Sequence, residues 1–319
     1  MNRLRRFACI IAAVLAVAGT FAAPRPIYVG ALKGPSGIGM IRLFVNAPAP
    51  ADGSSVRLVA VASVDLMTAK LISGEYDAGV LPINVAAKLY SSGIPIKLAA
   101  VVGEGMLSFL SADASIRSLA DLRGKRISVA GQGATPDYLF RRLLKGAGID
   151  PAKDLQLDYS LPYPEAAVAL ASGEIGYALL PEPFATMARL RNPLIRNRLD
   201  LVALWKEQTG QSVYPMTCFV VSSLLLSERP QAVRTILEAY AASIAWVAAH
   251  PSEAGDLVEA KGLGLKAGIA AASIPLSAQV FKDARTAKPE IEALLGVFLE
   301  LAPASVGGKL PDDAFYASL

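Results

Sequence analysis

The residues that could carry acid–base, nucleophilic or metal chemistry are few and scattered. The chain has one histidine, His250, and two cysteines, Cys9 and Cys218, among 319 residues. The usual zinc sites need several His and Cys ligands at short spacings, which this set cannot supply. The sequence also lacks GxSxG, HExxH and Walker A motifs. We therefore expect no catalysis, no metal and no cofactor, with His250 facing solvent or capping a helix.

Two glycine-rich polar turns are better candidates for binding than for catalysis. Residues 33–39 read KGPSGIG and residues 131–137 read GQGATPD, each between a strand-like run and a helix-like run. Glycines allow a ligand to approach the backbone, and amides at a helix start favour anions. Thr135 is also a good N-cap before Pro136, so capping alone is the competing interpretation. The candidate ligand contacts in these turns are Lys33, Ser36, Gly37, Gln132 and Thr135.

Further candidate residues occur where other predicted strands begin or end. Each of them has capping or packing as an equally good interpretation, so only their convergence on one site argues for binding. They are Ser63, Asn84, Tyr163 and Glu182, together with Tyr214, Met216 and Thr217, where the chain returns from a crossing.

An internal duplication organises these turns. Residues 71–82, LISGEYDAGVLP, return about a hundred residues later as residues 170–181, LASGEIGYALLP, and strand-like runs precede both at similar distances. Each copy reads strand–helix–strand–helix–strand, which predicts an α/β fold with mostly parallel sheets flanked by helices. The predicted strands are 27–31, 56–61 and 77–81, then 127–130, 155–159 and 176–180; the helices are 37–45 and 64–73, then 136–147 and 163–172.

The rest of the chain is predicted to join two lobes through a hinge. Residues 96–109 read as a strand crossing between the copies, and residues 201–205 and 216–222 read as returning strands. Later helices are predicted at 227–250, 252–261, 266–272, 276–285 and 288–301. We expect a discontinuous first lobe, 23–103 with 212–319, and a second lobe, 104–211, with a ligand cleft at the carboxyl ends of the strands.

The N-terminus resembles a cleavable export signal. Arg3, Arg5 and Arg6 precede an apolar run too short for a stable membrane anchor, and small residues follow. We expect residues 1–22 to be the signal peptide, with an uncleaved anchor as the alternative. Cys9 stands too early in the run for a lipoprotein site, so we expect a periplasmic protein.

Composition limits the partners. Hydrophobic residues make up 53% of the chain, which excludes disorder, and the formal net charge of +4 falls by three when the signal's arginines leave. A nearly neutral mature protein is a poor nucleic-acid binder, because phosphate neutralisation needs clustered Lys and Arg.

Two stretches resemble a known family. Residues 115–133, SIRSLADLRGKRISVAGQG, are similar to the start of the second lobe in solute-binding proteins of ABC importers. Residues 170–184, LASGEIGYALLPEPF, resemble the corresponding element of their nitrate, sulfonate, taurine and thiamine-precursor branch. The resemblance covers roughly residues 25–316; one departure is Gly176, where that branch often has Asp and the first copy keeps Asp77.

The resemblance implies a two-lobed periplasmic binding protein of the second structural type. Such a protein would act as a monomer, trap a small solute and deliver it to an ABC permease driven by its ATPase. An enzyme of the same fold and a periplasmic sensor partner are the alternatives of another class.

The sign of the solute's charge stays open at this stage. The helix starts and Lys33 favour a sulfonate, nitrate or similar small anion. Asp137 and Glu182 favour an amine-bearing heterocycle such as a thiamine pyrimidine precursor, because an unpaired carboxylate would repel an anion.

Overall fold

The computed structural model describes residues 25–129 and 131–318. The predicted signal peptide lies outside these residues. Eleven strands form two sheets in the described part of the chain: β1 Ile27–Leu32, β2 Val56–Val61, β3 Ala78–Pro82, β4 Ile96–Glu104, β5 Leu107–Ser111, β6 Arg126–Val129, β7 Gln156–Asp158, β8 Tyr177–Pro181, β9 Arg196–Leu199, β10 Pro215–Ser222 and β11 Gln279–Asp283.

Helices cover both sheets. In chain order they are α1 Pro35–Gly39, α2 Ile41–Val45, α3 Val64–Ile72, α4 Ile83–Ser91, α5 Thr135–Gly146, α6 Tyr163–Ser172, α7 Phe184–Arg191, α8 Leu201–Thr209, α9 Ser223–Glu228, α10 Pro230–Ala249, α11 Pro251–Ala260, α12 Ala267–Ser273 and α13 Ala284–Leu301.

The duplication is visible in the strand order. The six-stranded sheet runs β11-β4-β10-β3-β1-β2, and the five-stranded sheet runs β7-β6-β8-β5-β9. In each sheet the three strands of one copy are parallel, with the first strand in the middle. An antiparallel strand then flanks the third strand of each copy, β10 beside β3 and β5 beside β8. Both sheets are thus mixed, and the fold is α/β with two lobes, here named lobe 1 for the six-stranded sheet and lobe 2 for the five-stranded one.

The chain crosses between the lobes at two places. Strand β4 ends at Glu104 in lobe 1 and β5 begins at Leu107 in lobe 2; the chain returns between α8 and β10. The chain thus crosses within residues 96–109, but as two strands, β4 and β5, and not as the single strand predicted. The exact lobe boundaries at 103/104 and 211/212 stay a prediction.

The core explains why the long apolar helix α10 belongs to the fold. Of the described helices, α10 alone is long and apolar enough to cross a membrane by length and composition. It lies on lobe 1, where its apolar side packs against the six-stranded sheet through Val233, Ile236, Leu237, Tyr240 and Ile244. Tyr240 meets Phe219 of β10 edge to face at 5.7 Å. This is the packing of a core helix.

Two element predictions are wrong. Residues 201–205, predicted as a strand, begin helix α8, because the Asp200 side chain accepts the Ala203 amide at 3.0 Å and caps it. Residues 276–285, predicted as a helix, contain strand β11, which pairs with β4. Asp283 at the end of β11 caps α13 instead.

Three smaller differences concern helix bounds and one strand. The predicted helix 37–45 is two short helices that meet at Met40, and the helix predicted from 227 is interrupted at Arg229, just before Pro230. Strand β9 is absent from the sequence prediction. It is a short edge strand of sequence RNRL, which lacks the apolar residues typical of a buried strand.

Candidate functional site

A cleft of about 500 Å³ lies between the lobes and is built from matching turns of the two copies. The β1–α1 turn of lobe 1 faces the β6–α5 turn of lobe 2. The β2–α3 and β7–α6 turns contribute the next pair, and the residues after β3 and β8 the third. All six turns follow the carboxyl ends of parallel strands, where open α/β sheets bind ligands.

The structure brings most of the sequence-predicted site residues to this cleft. Eight of them line it: Lys33, Ser36, Ser63, Thr135, Tyr163, Glu182, Met216 and Thr217. The other four do not line it: Gly37, Asn84, Gln132 and Tyr214.

The four outlying residues have other surroundings. Gly37 packs against backbone: a Cβ there would lie 2.5 Å from the Leu32 carbonyl oxygen. Tyr214 is fully buried and meets Trp205 edge to face at 6.0 Å. Gln132 is exposed, and Asn84 is buried in the first turn of α4. These four residues thus lie outside the cleft lining, and their contact with a solute stays a prediction.

Thr135 does not cap its helix. Helix α5 begins at Thr135 itself, with Ala134 at the N-cap and no side-chain capping bond. The hydrogen bond that a cap would have made to this turn comes instead from Asp137, whose carboxylate accepts the Gly133 amide at 2.9 Å. The Thr135 hydroxyl is buried at the cleft wall without a hydrogen-bond partner among the described residues. The capping interpretation is therefore wrong at this position.

Asp137 is neutralised by its neighbours. Its second carboxylate oxygen accepts hydrogen bonds from Arg141 Nε at 2.6 Å and from the Tyr159 hydroxyl at 2.7 Å. Burial, and then the hydrogen bond to Asp137, raises the pKa of Tyr159 above its usual range, so the phenol stays a donor. Asp137 thus fixes the 131–134 turn and offers the cleft no free charge.

Glu182 is also paired. It is 2% exposed, and its carboxylate accepts the Thr186 amide at 3.0 Å and Arg189 Nη2 at 2.5 Å. Residue 186 follows Glu182 by four positions and residue 189 by seven, so helix α7 brings both donors back to the carboxylate. A buried carboxylate with two such donors is a structural ion pair, which removes the observation that favoured an amine ligand.

Lys33 is the cation of the cleft. It is exposed at the rim, and the described residues give it no ion pair or side-chain hydrogen bond. Ser63, on the same lobe, caps α3 by accepting the Leu66 amide at 3.2 Å, and its hydroxyl proton stays free to donate.

An aromatic pair forms part of the lobe 2 wall. Tyr163 stacks on Phe184 with ring centroids 5.4 Å apart and planes 18° apart. Burial raises the pKa of Tyr163 to about 12, so it is neutral under ordinary conditions. Sequence reasoning named Tyr163 but missed Phe184 and the other apolar wall residues, among them Leu32, Val64 and Met106. The duplication was the available signal for Val64 and Phe184, since both follow strand ends.

The cleft has no cluster of metal-ligating side chains among the described residues. No cluster of three or more His, Cys, Asp or Glu side chains occurs there or elsewhere in residues 25–129 and 131–318. Cys218 is fully buried on β10, where burial raises the pKa of its thiol far above the usual range.

Known structures share this fold. An ABC transporter protein from Parabacteroides distasonis is 28% identical, with a TM-score of 0.80 over 92% of this chain and 99% of that one. The aliphatic sulphonate binding protein SsuA from Escherichia coli is 20% identical, with a TM-score of 0.71 over 93% and 94%. The nitrate-binding protein NrtA from Synechocystis PCC 6803 is 13% identical, with a TM-score of 0.63 over 87% and 81%.

A family comparison covers the centre of the chain. No curated protein matches it significantly. The family described as NMT1/THI5 like matches residues 51–254, well over half of the chain. That stretch contains both crossings and all but the first of the six cleft turns. The chain therefore belongs to the NMT1/THI5-like family and has the two-lobed fold of periplasmic binding proteins of ABC transporters.

Proposed function

We propose that this protein is the periplasmic solute-binding component of an ABC importer, trapping a small organic anion between its lobes and delivering it to the permease. The observation that carries the proposal is the cleft itself. Two homologous lobes face each other with matched turns, and buried polar groups between them lack hydrogen-bond partners in the part of the chain that the structure describes.

The charges of the cleft support an anion. Both carboxylates that argued for an amine are neutralised, Asp137 by Arg141 and Glu182 by Arg189. Lys33 is left as the unpaired charge among the described lining residues. Opposite charges attract more strongly as a closing cleft excludes water, so an anion gains most from this arrangement.

The relatives support the transport role. The similar proteins from Escherichia coli and Synechocystis are described as binding aliphatic sulphonates and nitrate, respectively. We propose that the present chain likewise binds its solute outside the cytoplasm, acts as a monomer and needs an ABC permease with its ATPase.

A ligand screen with a structural readout tests the proposal. Purified mature protein is screened by thermal shift against sulfonates, carboxylates, nitrate, sulfate and amine heterocycles. A ligand at a hundred times its dissociation constant should stabilise the fold by about 2.7 kcal/mol. Small-angle scattering with that ligand should show a smaller radius of gyration. A protein that binds none of these solutes, nor any component of a metabolite extract, is not a solute-binding protein of this kind.

A further inference from the structure

Two buried hydroxyls in the cleft have no hydrogen-bond partner in residues 25–129 and 131–318. Thr135 Oγ1 lies at the start of α5 in lobe 2, and Thr217 Oγ1 lies on β10 in lobe 1. Both residues line the cleft, and Thr135 is only 2% exposed. A buried hydroxyl without a partner costs free energy, so such groups call for an explanation such as a missing ligand.

The space around Thr217 is kept open by the neighbouring strand. Thr217 pairs with Gly103 at the end of β4. A Cβ on Gly103 would lie 2.6 Å from Thr217 Oγ1 and 2.4 Å from Met106 Cε. Any larger residue at 103 would therefore displace both the hydroxyl and the methionine end that line the cleft.

The surroundings of the two hydroxyls are apolar. Met106 and Met216 lie at the cleft between the lobes, and the stacked Tyr163 and Phe184 lie on lobe 2. Prolines supply much of the remaining wall: Pro35, Pro82, Pro136, Pro162, Pro164 and Pro181. Proline has no amide proton, so this wall has few donors for a small inorganic oxyanion.

We propose that Thr135 and Thr217 clamp one anionic head group from opposite lobes, and that the solute is a carboxylate or sulfonate carrying an apolar, ring-sized body. This inference rests on the proposed function and deepens it. Each hydroxyl donates to the head group, Lys33 adds charge at the rim, and the apolar walls receive the body. Because one donor comes from each lobe, the full set of bonds forms only when the lobes close.

The apolar cleft walls predict a preference for aromatic anions over small ones. Benzoate and benzenesulfonate should bind more tightly than acetate and methanesulfonate, by about four-fold for each buried carbon of the body. Nitrate and sulfate should bind at least a hundred-fold more weakly than the aromatic anions, since they leave the apolar walls uncovered.

Isosteric variants test the clamp by titration calorimetry with benzoate and benzenesulfonate. Thr135→Val and Thr217→Val should each weaken binding about ten-fold or more, as expected for a lost hydrogen bond to a charged group. If both hydroxyls hold one head group, the double variant should depart from additivity. Thr235→Val on α10, outside the cleft, is the matched control and should leave affinity unchanged. Melting temperatures of all variants show whether they fold.

Several results would overturn the clamp. Unchanged affinity in either cleft variant, strictly additive losses, or tighter binding of nitrate than of the aromatic anions would each do so. Nitrate binding with closure, unaffected by the threonine variants, would leave the proposed function standing and remove only this inference. If neither these probes nor a metabolite extract binds the wild type, both fall.

Discussion

The Gly105 amide donates a hydrogen bond to the Tyr214 carbonyl oxygen at 3.1 Å. This bond joins the two segments that cross between the lobes. The next residues, Glu104 and Pro215, are the first pair of the antiparallel β4–β10 ladder. The crossings therefore form one joined hinge and not two independent linkers. Closure of the cleft must bend both segments together.

Gly105 is predicted to be critical for this hinge. Its φ of +61° is disfavoured for other residues, and a Cβ there would lie 3.1 Å from Val202 Cγ2. Gly105→Ala should therefore cost about 1–3 kcal/mol of stability, measured by urea denaturation. Gly53→Ala is the matched control, because Gly53 has a φ of +76° but nothing within 4 Å of the added Cβ. Equal losses in the two variants would show that hinge packing at Gly105 contributes nothing.

The duplication made the cleft predictable from sequence. Once residues 71–82 and 170–181 are aligned, the six turns must meet at the strand ends, and eight of the twelve named residues do line the cleft. What the alignment cannot supply is the partner of each polar group. Glu182 pairs with Arg189 only because helix α7 places residue 189, two turns along, next to the carboxylate. The Thr135 hydroxyl is free only because the helix starts at Thr135 itself, one residue earlier than a Thr135 cap would require.

Some elements were misread for a local reason. Residues 201–205, LVALW, are apolar enough for a strand, and only the Asp200 cap and the spacing of buried Leu201 and Trp205 identify a helix.

The departure at Gly176 goes with different hydrogen bonds at the matching positions of the two lobes. In lobe 1 Asp77 pairs with Arg25 and accepts the Tyr28 amide, whereas in lobe 2 the Gly176 carbonyl accepts the Ser111 hydroxyl.

Thr135 and Ser63 should respond differently to loss of the hydroxyl. Ser63→Ala removes a real cap on α3 and should cost about 1 kcal/mol of stability. Thr135→Val removes a buried hydroxyl that bonds to nothing in the described protein, so stability should be unchanged or higher. Urea denaturation of the ligand-free protein measures both. A loss of about 1 kcal/mol or more in Thr135→Val would restore a structural role for the hydroxyl.

The Glu182–Arg189 pair is predicted to be structural. Arg189→Met leaves a carboxylate that is 2% exposed without its cation, and should cost about 2–4 kcal/mol. Arg191→Met on the same helix is the matched control, since Arg191 is exposed and the described residues give it no ion pair. Similar stability of the two variants in chemical denaturation would mean that the carboxylate is stabilised by something other than Arg189.

The stability of the fold should respond to pH through Glu104. Glu104 lies at the end of β4 beside Lys282 at 3.4 Å, and Lys282 also pairs with Glu290 at 2.7 Å. Burial raises the pKa of Glu104 above its ordinary value of 4.5 and outweighs the opposing effect of Lys282. The folded state therefore holds the Glu104 proton to higher pH than the unfolded state. The stability that protonated Glu104 contributes to the folded state is fully present below pH 4.5 and is lost as pH rises through the raised folded pKa.

Glu104→Gln isolates this effect, because an amide does not titrate. The variant should gain stability relative to wild type as pH rises from 4 to 7, in urea denaturation at each pH. Glu238→Gln, an exposed position on α10, is the matched substitution and should show no such trend. A Glu104→Gln variant that loses stability relative to wild type over this range would show that attraction to Lys282 outweighs burial.

Lys33 should set the preference for charge without being essential to the fold. It is exposed at the cleft rim with no ion pair among the described residues, so its attraction to an anion is partly screened by water. Lys33→Gln should lower the affinity for benzoate about two- to five-fold, with a smaller difference at high salt. Binding of the neutral analogue benzamide should not change.

Lys88→Gln on α4 removes the same charge away from the cleft and is the control for net charge. Titration calorimetry of the three proteins at two salt concentrations measures these differences. Equal benzoate affinity in the Lys33 and Lys88 variants, or tighter benzoate binding by Lys33→Gln, would rule out Lys33 as the charge that selects an anion.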